Sequence, residues 1–197
     1  MPASPSARAA REVEDRLSDD ELFGTVVLIL AAGHETTTNL IGNGLYTLLR
    51  HPAELARLRA RPELIGSAVE ELLRFEGPVA LTSRNATRDY ELAGQRIGAG
   101  DELSVVLAAA NRDPAVFAEP DRLDLARADN RHLSFGFGTH FCLGASLARL
   151  EIQEAIGALV QRLPGMRVDA EKVVYRPNLH LHALETLPVS WPGDRAG

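Results

Sequence analysis

The sequence predicts a mainly α fold carrying small β-sheets, and three observations lead there. A proline-free pattern from Asp19 to Arg50 reads as one long helix. A glycine-rich stretch, Phe135 to Gly144, carries the only cysteine and opens onto an amphipathic helix from Ala145 to Leu163. Between these lie short alternating apolar segments separated by glycine turns.

The long helix has a complete start. Ser18 and Glu21 form a capping box, Leu17 and Leu22 are placed to staple it, and Asp19 and Asp20 favour the positive end of the helix dipole. His51-Pro52 ends it, because a residue before proline leaves the α region. At 1.5 Å per residue this helix is about 48 Å long. A compact domain of 197 residues is about 42 Å across. Its apolar residues, Leu22, Phe23 and Val26 to Ala32, cover every face, as in a helix buried on all sides. The expectation is that this chain alone does not supply that cover.

Inside the helix, Gly33 costs about 1 kcal/mol relative to alanine, and Thr36 and Thr37 tend to bond back to the preceding turn. A weakened turn bearing Glu35 and hydroxyls suits a small ligand; it also suits a distorted core helix with a hydrogen-bonded threonine. Pro52 opens a short helix to Arg61, and Pro62 closes it. A third helix, over about 64–75, sets Glu71 and Arg74 three apart on one face. Such pairs also occur on solvated helices, where they contribute a few tenths of a kcal/mol.

Gly77-Pro78 ends that helix. Extended segments follow at Val79 to Thr82, Asp89 to Leu92, Arg96-Ile97 and Glu102 to Leu107, with a turn at Ala93-Gly94. Ala108 to Pro114 reads as a short helix and turn, and Phe117 to Arg131 as a polar meander. Leu163-Pro164-Gly165 breaks the chain, and Val173 to Tyr175 and Leu179 to Leu184 read as strands. His180 and His182 alternate on the latter; a solvated strand face is the expectation, a metal pair the alternative.

Bulk properties bound the function. A length of 197 residues fits one domain or two small ones, and 45% apolar residues support a substantial core. The net charge of −6 argues against nucleic acid, which needs a basic face. One cysteine excludes an intrachain disulfide and fits a reducing, cytoplasmic setting. The first residues lack a signal peptide's apolar stretch; residues 1–17 read as a disordered or frayed tail and 18–197 as the domain. The longest apolar run, Val26 to Ala32, is too short to cross a bilayer, so no membrane partner is expected.

Cys142 precedes a helix N-terminus, where unsatisfied N–H groups favour a thiolate, the form that binds metal or attacks electrophiles. The stretch around it resembles the haem-ligand loop of the cytochrome P450 family, F-x-x-G-x-x-x-C-x-G, filled by Phe135, Gly138, Cys142 and Gly144. Ala32 to Thr36 is similar to the family's oxygen-binding groove, (A/G)-G-x-(D/E)-T. Glu71 and Arg74 resemble its E-x-x-R, a buried structural pair completed by a meander arginine, for which Arg122 has the matching position. The resemblance implies haem b (iron protoporphyrin IX) with Cys142 as metal ligand and Phe135 on the proximal face. It also implies Arg84 and His132 at the propionates, and Glu35 and Thr36 delivering protons to dioxygen. A thiolate ligand favours O–O cleavage. The implied reaction is monooxygenation of a small organic substrate with electrons from ferredoxin and its reductase, as in soluble bacterial members.

The resemblance runs from Ser18 to Trp191 but covers only the C-terminal half of the P450 fold: long central helix, E-x-x-R helix, meander, Cys-ligand loop and following helix. His182-Ala183 stands where the family usually has Arg-Gly. One reading is a truncated monooxygenase served by a missing N-terminal half or partner chain. Another is a non-catalytic haem-binding or partner protein derived from a P450. A third class, Cys142 with His140 or His132 as nucleophile or zinc site, leaves Glu71, Arg74 and the threonine turn without a purpose.

Overall fold

The structure is a computed structural model and describes residues 16–193. The tail expected over residues 1–17 lies, through residue 15, outside the described residues. The chain divides into two compact units, residues 1–35 and 36–197.

Helix α1 spans Asp19–Arg50, the bounds read from the sequence. Its cap forms as expected. The Ser18 backbone N–H donates to Glu21 Oε2 (2.9 Å), and the Glu21 backbone N–H donates to Ser18 Oγ (3.3 Å). The apolar residues of the first turns are uncovered: Phe23 is 72% exposed, Leu28 66% and Leu30 67%. The helix runs unbroken through Gly33 to Thr37. From Asn39 onward the residues facing the second unit's core are buried.

That core belongs to α1's last turns, α2 (Pro52–Ala60), α3 (Ile65–Glu76) and α5 (Ala145–Arg162). In α3 the apolar residues recur at Ala68, Val69, Leu72 and Leu73, the spacing of one helical face, and all are buried. They meet Leu48 of α1, Leu58 of α2 and Ile152, Ile156 and Val160 of α5. Burying each of these side chains contributes about 1.5–3 kcal/mol. Gly44 permits the close approach: a β-carbon there would lie 3.2 Å from Leu72 Cδ1 and 3.8 Å from Ile156 Cδ1.

The sheets are small, as predicted, and each has two antiparallel strands: β1 (Leu81–Asn85) with β4 (Glu102–Val106), β2 (Tyr90–Leu92) with β3 (Gln95–Ile97), β5 (Arg167–Val168) with β8 (Val189–Ser190), and β6 (Val174–Tyr175) with β7 (Leu184–Thr186). The β2–β3 hairpin turns on Ala93 and Gly94, both with positive φ (50° and 77°). A short helix, α4 (Leu107–Ala110), follows β4.

One strand differs from expectation. Over 179–183 only an isolated antiparallel bridge, Leu181 to Val79, forms, and its two bonds run from Ala80 N–H to His180 O (2.8 Å) and from His182 N–H to Pro78 O (2.8 Å). His182 therefore does not lie on a solvated strand face. It stacks on Tyr175 (4.7 Å between ring centroids) and lies 2.8 Å from Glu76 Oε2. Among the described residues, no helix is long and apolar enough to cross a membrane.

A candidate cysteine-ligated cofactor site

The site is built on a loop between the meander and α5. Gly136 and Gly138 both hold φ near +74°, a region that side chains resist, and this folds the loop back on itself. Gly136 N–H donates to Leu133 O (2.8 Å), a 3₁₀ turn spans Gly138–His140, and Cys142 N–H closes the loop by donating to Phe135 O (2.9 Å). Cys142 is a free, exposed thiol, and Gly144 then caps α5. The loop also turns apolar surface outward: Phe137 is 85% exposed and Leu143 96%. A presented sulfur beside exposed apolar side chains is what a flat, largely apolar, thiolate-ligated group requires.

Below the loop, α3 carries two adjacent glutamates with different partners. Glu71 and Arg74 are both fully buried and pair through two hydrogen bonds, Arg74 Nε to Glu71 Oε2 and Nη2 to Oε1, each 2.8 Å. Arg74 Nη1 also donates to the carbonyls of Asn111 (2.9 Å) and Pro120 (2.8 Å), and its guanidinium lies 5.2 Å from the Phe117 ring centre. The third member is Arg127, not Arg122: Arg127 Nε donates to Glu71 Oε2 at 3.0 Å. The Arg122 side chain instead reaches Glu119 (2.6 Å) and Asp124 (3.4 Å) near the surface. Only its carbonyl joins the network, accepting from Arg74 and Arg127. The physical reason is local. Glu119 and Asp124, three and two positions away, satisfy Arg122 without burial.

Glu70 faces the cysteine loop. It accepts from Arg149 Nε (2.6 Å) and Nη2 (2.9 Å) and from His132 Nε2 (3.1 Å). Burial pushes the Glu70 carboxyl up, but the bonds from His132 and Arg149 outweigh it and hold it down at about 2. Its contribution to stability is therefore present above about pH 4.5 and is lost as pH falls toward 2. Ser134 N–H donates to His132 Nδ1 (3.2 Å), which places the ring proton on Nε2 and engages both ring nitrogens. His132, expected at a propionate, is thus held by Glu70 in this structure.

Asn111, which the sequence did not single out, ties α4 to the loop. Its Nδ2 donates to Ser134 Oγ (2.9 Å), and its Oδ1 accepts from Leu133 N–H (2.8 Å). Ser134 Oγ donates in turn to Leu73 O in α3 (2.7 Å). Its signal is a polar side chain directly after an alanine run and before Arg112-Asp113-Pro114, a helix end that has to be tied down.

Arg84 is exposed on β1 and donates to Thr82 Oγ1 (3.1 Å) and Ser83 O (2.7 Å); among the described residues it pairs with no carboxylate. Glu35 is exposed and Thr36 half-buried on α1. No group of three or more His, Cys, Asp and Glu among the described residues is arranged to hold a metal, so a zinc site around Cys142 finds no ligand set.

Comparison with known proteins places these features in context. Residues 5–164 match the family model for cytochrome P450. The biotin biosynthesis cytochrome P450 of Bacillus subtilis is 48% identical over 178 residues, covering 90% of this chain and 45% of that protein. The cytochrome P450 monooxygenase PikC of Streptomyces venezuelae is 47% identical over 195 residues, 98% of this chain and 47% of PikC. Among solved structures, P450BioI in complex with a hexadecenoic-acid-loaded acyl carrier protein superposes with a TM-score of 0.87 at 49% identity over 90% of this chain and 46% of that one. The chain spans about half the length of the curated relatives it matches.

Proposed function

The chain belongs to the cytochrome P450 family, and from that premise we propose that it is the haem-ligating half of a monooxygenase. The observation that carries this reading is the closed glycine loop with its exposed Cys142 thiol directly ahead of α5. The residues present fit haem b: Cys142 as metal ligand, Phe135, Gly138 and Gly144 shaping the cradle, and exposed Phe137 and Leu143 offering apolar contact. Arg84, with no carboxylate partner among the described residues, suits a propionate, and the place of His132 at a propionate rests on the resemblance.

The haem, when bound, supplies the oxidising chemistry that puts one oxygen atom of O₂ into a small organic substrate and releases the other as water. This chain's residues ligate, orient and move protons. The Thr36 hydroxyl and the exposed Glu35 carboxylate, neighbours on α1, pass protons from solvent. Glu71 and Arg74 hold the meander that leads into the cysteine loop. Electrons come from a ferredoxin and its reductase, in the cytoplasm; the lone free cysteine suits that compartment.

Titrating haem into the purified chain and recording the carbon monoxide difference spectrum tests this. A thiolate-type Soret band is expected, weak for the chain alone, strengthened by an added N-terminal half of a relative, and lost with Cys142→Ser. An unchanged spectrum after that substitution overturns the ligand assignment. Substrate turnover with ferredoxin then separates an enzyme from a haem-binding scaffold.

A further inference from the structure

The family motif accounts for Glu71 and leaves its neighbour Glu70 without a task. The structure gives Glu70 one. From α3 its carboxylate holds the fork of Arg149, on α5, and the ring of His132, at the entrance to the cysteine loop. Both of these groups flank a single side chain, Phe135. The Arg149 guanidinium lies 4.5 Å from the Phe135 ring centre, and the His132 ring 5.9 Å from it. Phe135 is also the residue whose carbonyl receives the Cys142 N–H at 2.9 Å. A continuous line of contacts therefore runs from α3 through two cations or donors to one aromatic ring and on to the backbone of the cysteine.

This line is separate from the Glu71 network. Neighbouring residues on a helix point about 100° apart, so Glu71 turns to Arg74, Arg127 and Asn130. Glu70 turns to the loop. The side chain of His132 is 3% exposed, while Glu70 and Arg149 remain one-quarter to one-third exposed at 28% and 33%. The clamp thus sits at the rim of the loop, where it restrains Phe135 without being part of the hydrophobic core.

We propose that Glu70 is a positioning residue which, through Arg149 and His132, fixes Phe135 and thereby the orientation in which the loop presents Cys142. The proposal rests on Cys142 being the cofactor ligand only for its functional meaning; the mechanical link exists in the haem-free chain and is measurable there. Glu70→Gln keeps the shape and removes the charge. Arg149→Lys keeps the charge and removes the fork.

The experiment is site-resolved amide hydrogen exchange of the haem-free chain, with the carbon monoxide difference spectrum of the haem-loaded protein as second readout. Loss of a charge-assisted clamp is expected to speed exchange at residues 135–142 by about tenfold or more. Exchange in α3 and in the last turns of α5 should stay as in the parent. Haem-loaded Glu70→Gln should shift from the thiolate-type band toward the form lacking it. Unchanged exchange over 135–142, or acceleration spread evenly over the whole chain, overturns the proposal. Should Glu70→Gln fail to fold, Arg149→Lys decides by the same criterion. A loop that loosens in a chain taking up no haem upholds the clamp while refuting the haem reading, so the two fail separately.

Discussion

Helix α3 and the first turns of α1 are both rich in large apolar side chains, yet their surroundings differ completely. On α3, Val69 and Leu72 are fully buried, and even the charged Glu71 and Arg74 have a complete set of partners. On α1, Phe23, Leu28 and Leu30 stand two-thirds or more exposed. The first pattern is a helix with one apolar stripe and a core to receive it; the second is a helix apolar on every side with nothing around it. The contrast teaches that this chain packs a core around α3 and α5 while leaving the apolar side chains of residues 22–30 exposed. The motifs that identify the family sit mostly in the part that is complete. Motif content and structural completeness are therefore independent properties here.

The largest expected effect comes from breaking the complete part. Arg74→Ala leaves Glu71 buried without two of its five hydrogen bonds and should destabilise the chain by about 3–5 kcal/mol, read from urea unfolding. A loss under about 1 kcal/mol would show that the pair is not buried in solution. Next, Arg127→Ala should cost about 1.5–3 kcal/mol, because it removes a charge-assisted bond to a buried carboxylate. Arg122→Ala should cost about 1 kcal/mol or less, as for exposed ion pairs. Equal costs would remove the distinction drawn between these two arginines. Smallest is the incomplete part: Leu28→Lys with Leu30→Lys should change unfolding free energy by about 0.5 kcal/mol or less. The same pair should reduce self-association in sedimentation velocity. A destabilisation near that of Arg74→Ala would mean that α1's first turns are packed after all.

Much of this was legible from residues alone, and the reasons are local. Helix α1 announces both ends, by the Ser18–Glu21 box and by His51-Pro52. The β2–β3 turn at Ala93-Gly94 follows from glycine's freedom at positive φ. The cysteine loop is local in sequence, and its closing bond joins Cys142 to Phe135, seven positions away. What escaped reading depends on distant partners. Arg127 over Arg122 is decided by which guanidinium reaches Glu71, 56 positions away from Arg127. Asn111 and Ser134 meet across 23 positions. The segment around His182 pairs with the backbone of Pro78 and Ala80, far away in sequence, over a single bridge. Periodicity carries no information about any of these choices. The roles of Glu35 and Thr36 in proton delivery and of Arg84 and His132 at a cofactor come from the resemblance, because no local pattern marks them.

The meander from Phe117 to Arg131 has no ladder of its own, and two guanidinium groups gather its carbonyls: Arg74 takes those of Pro120 and Arg122, while Arg127 takes those of Ala118, Glu119 and Arg122. A segment fastened by one side chain from α3 and one of its own, rather than by a ladder, has little cooperativity within itself. Its course depends on α3, which supplies Arg74 from its last turn and Glu71 as the partner of Arg127. Proteases would accordingly find their earliest purchase there in any weakened variant, well before the helices beneath become susceptible.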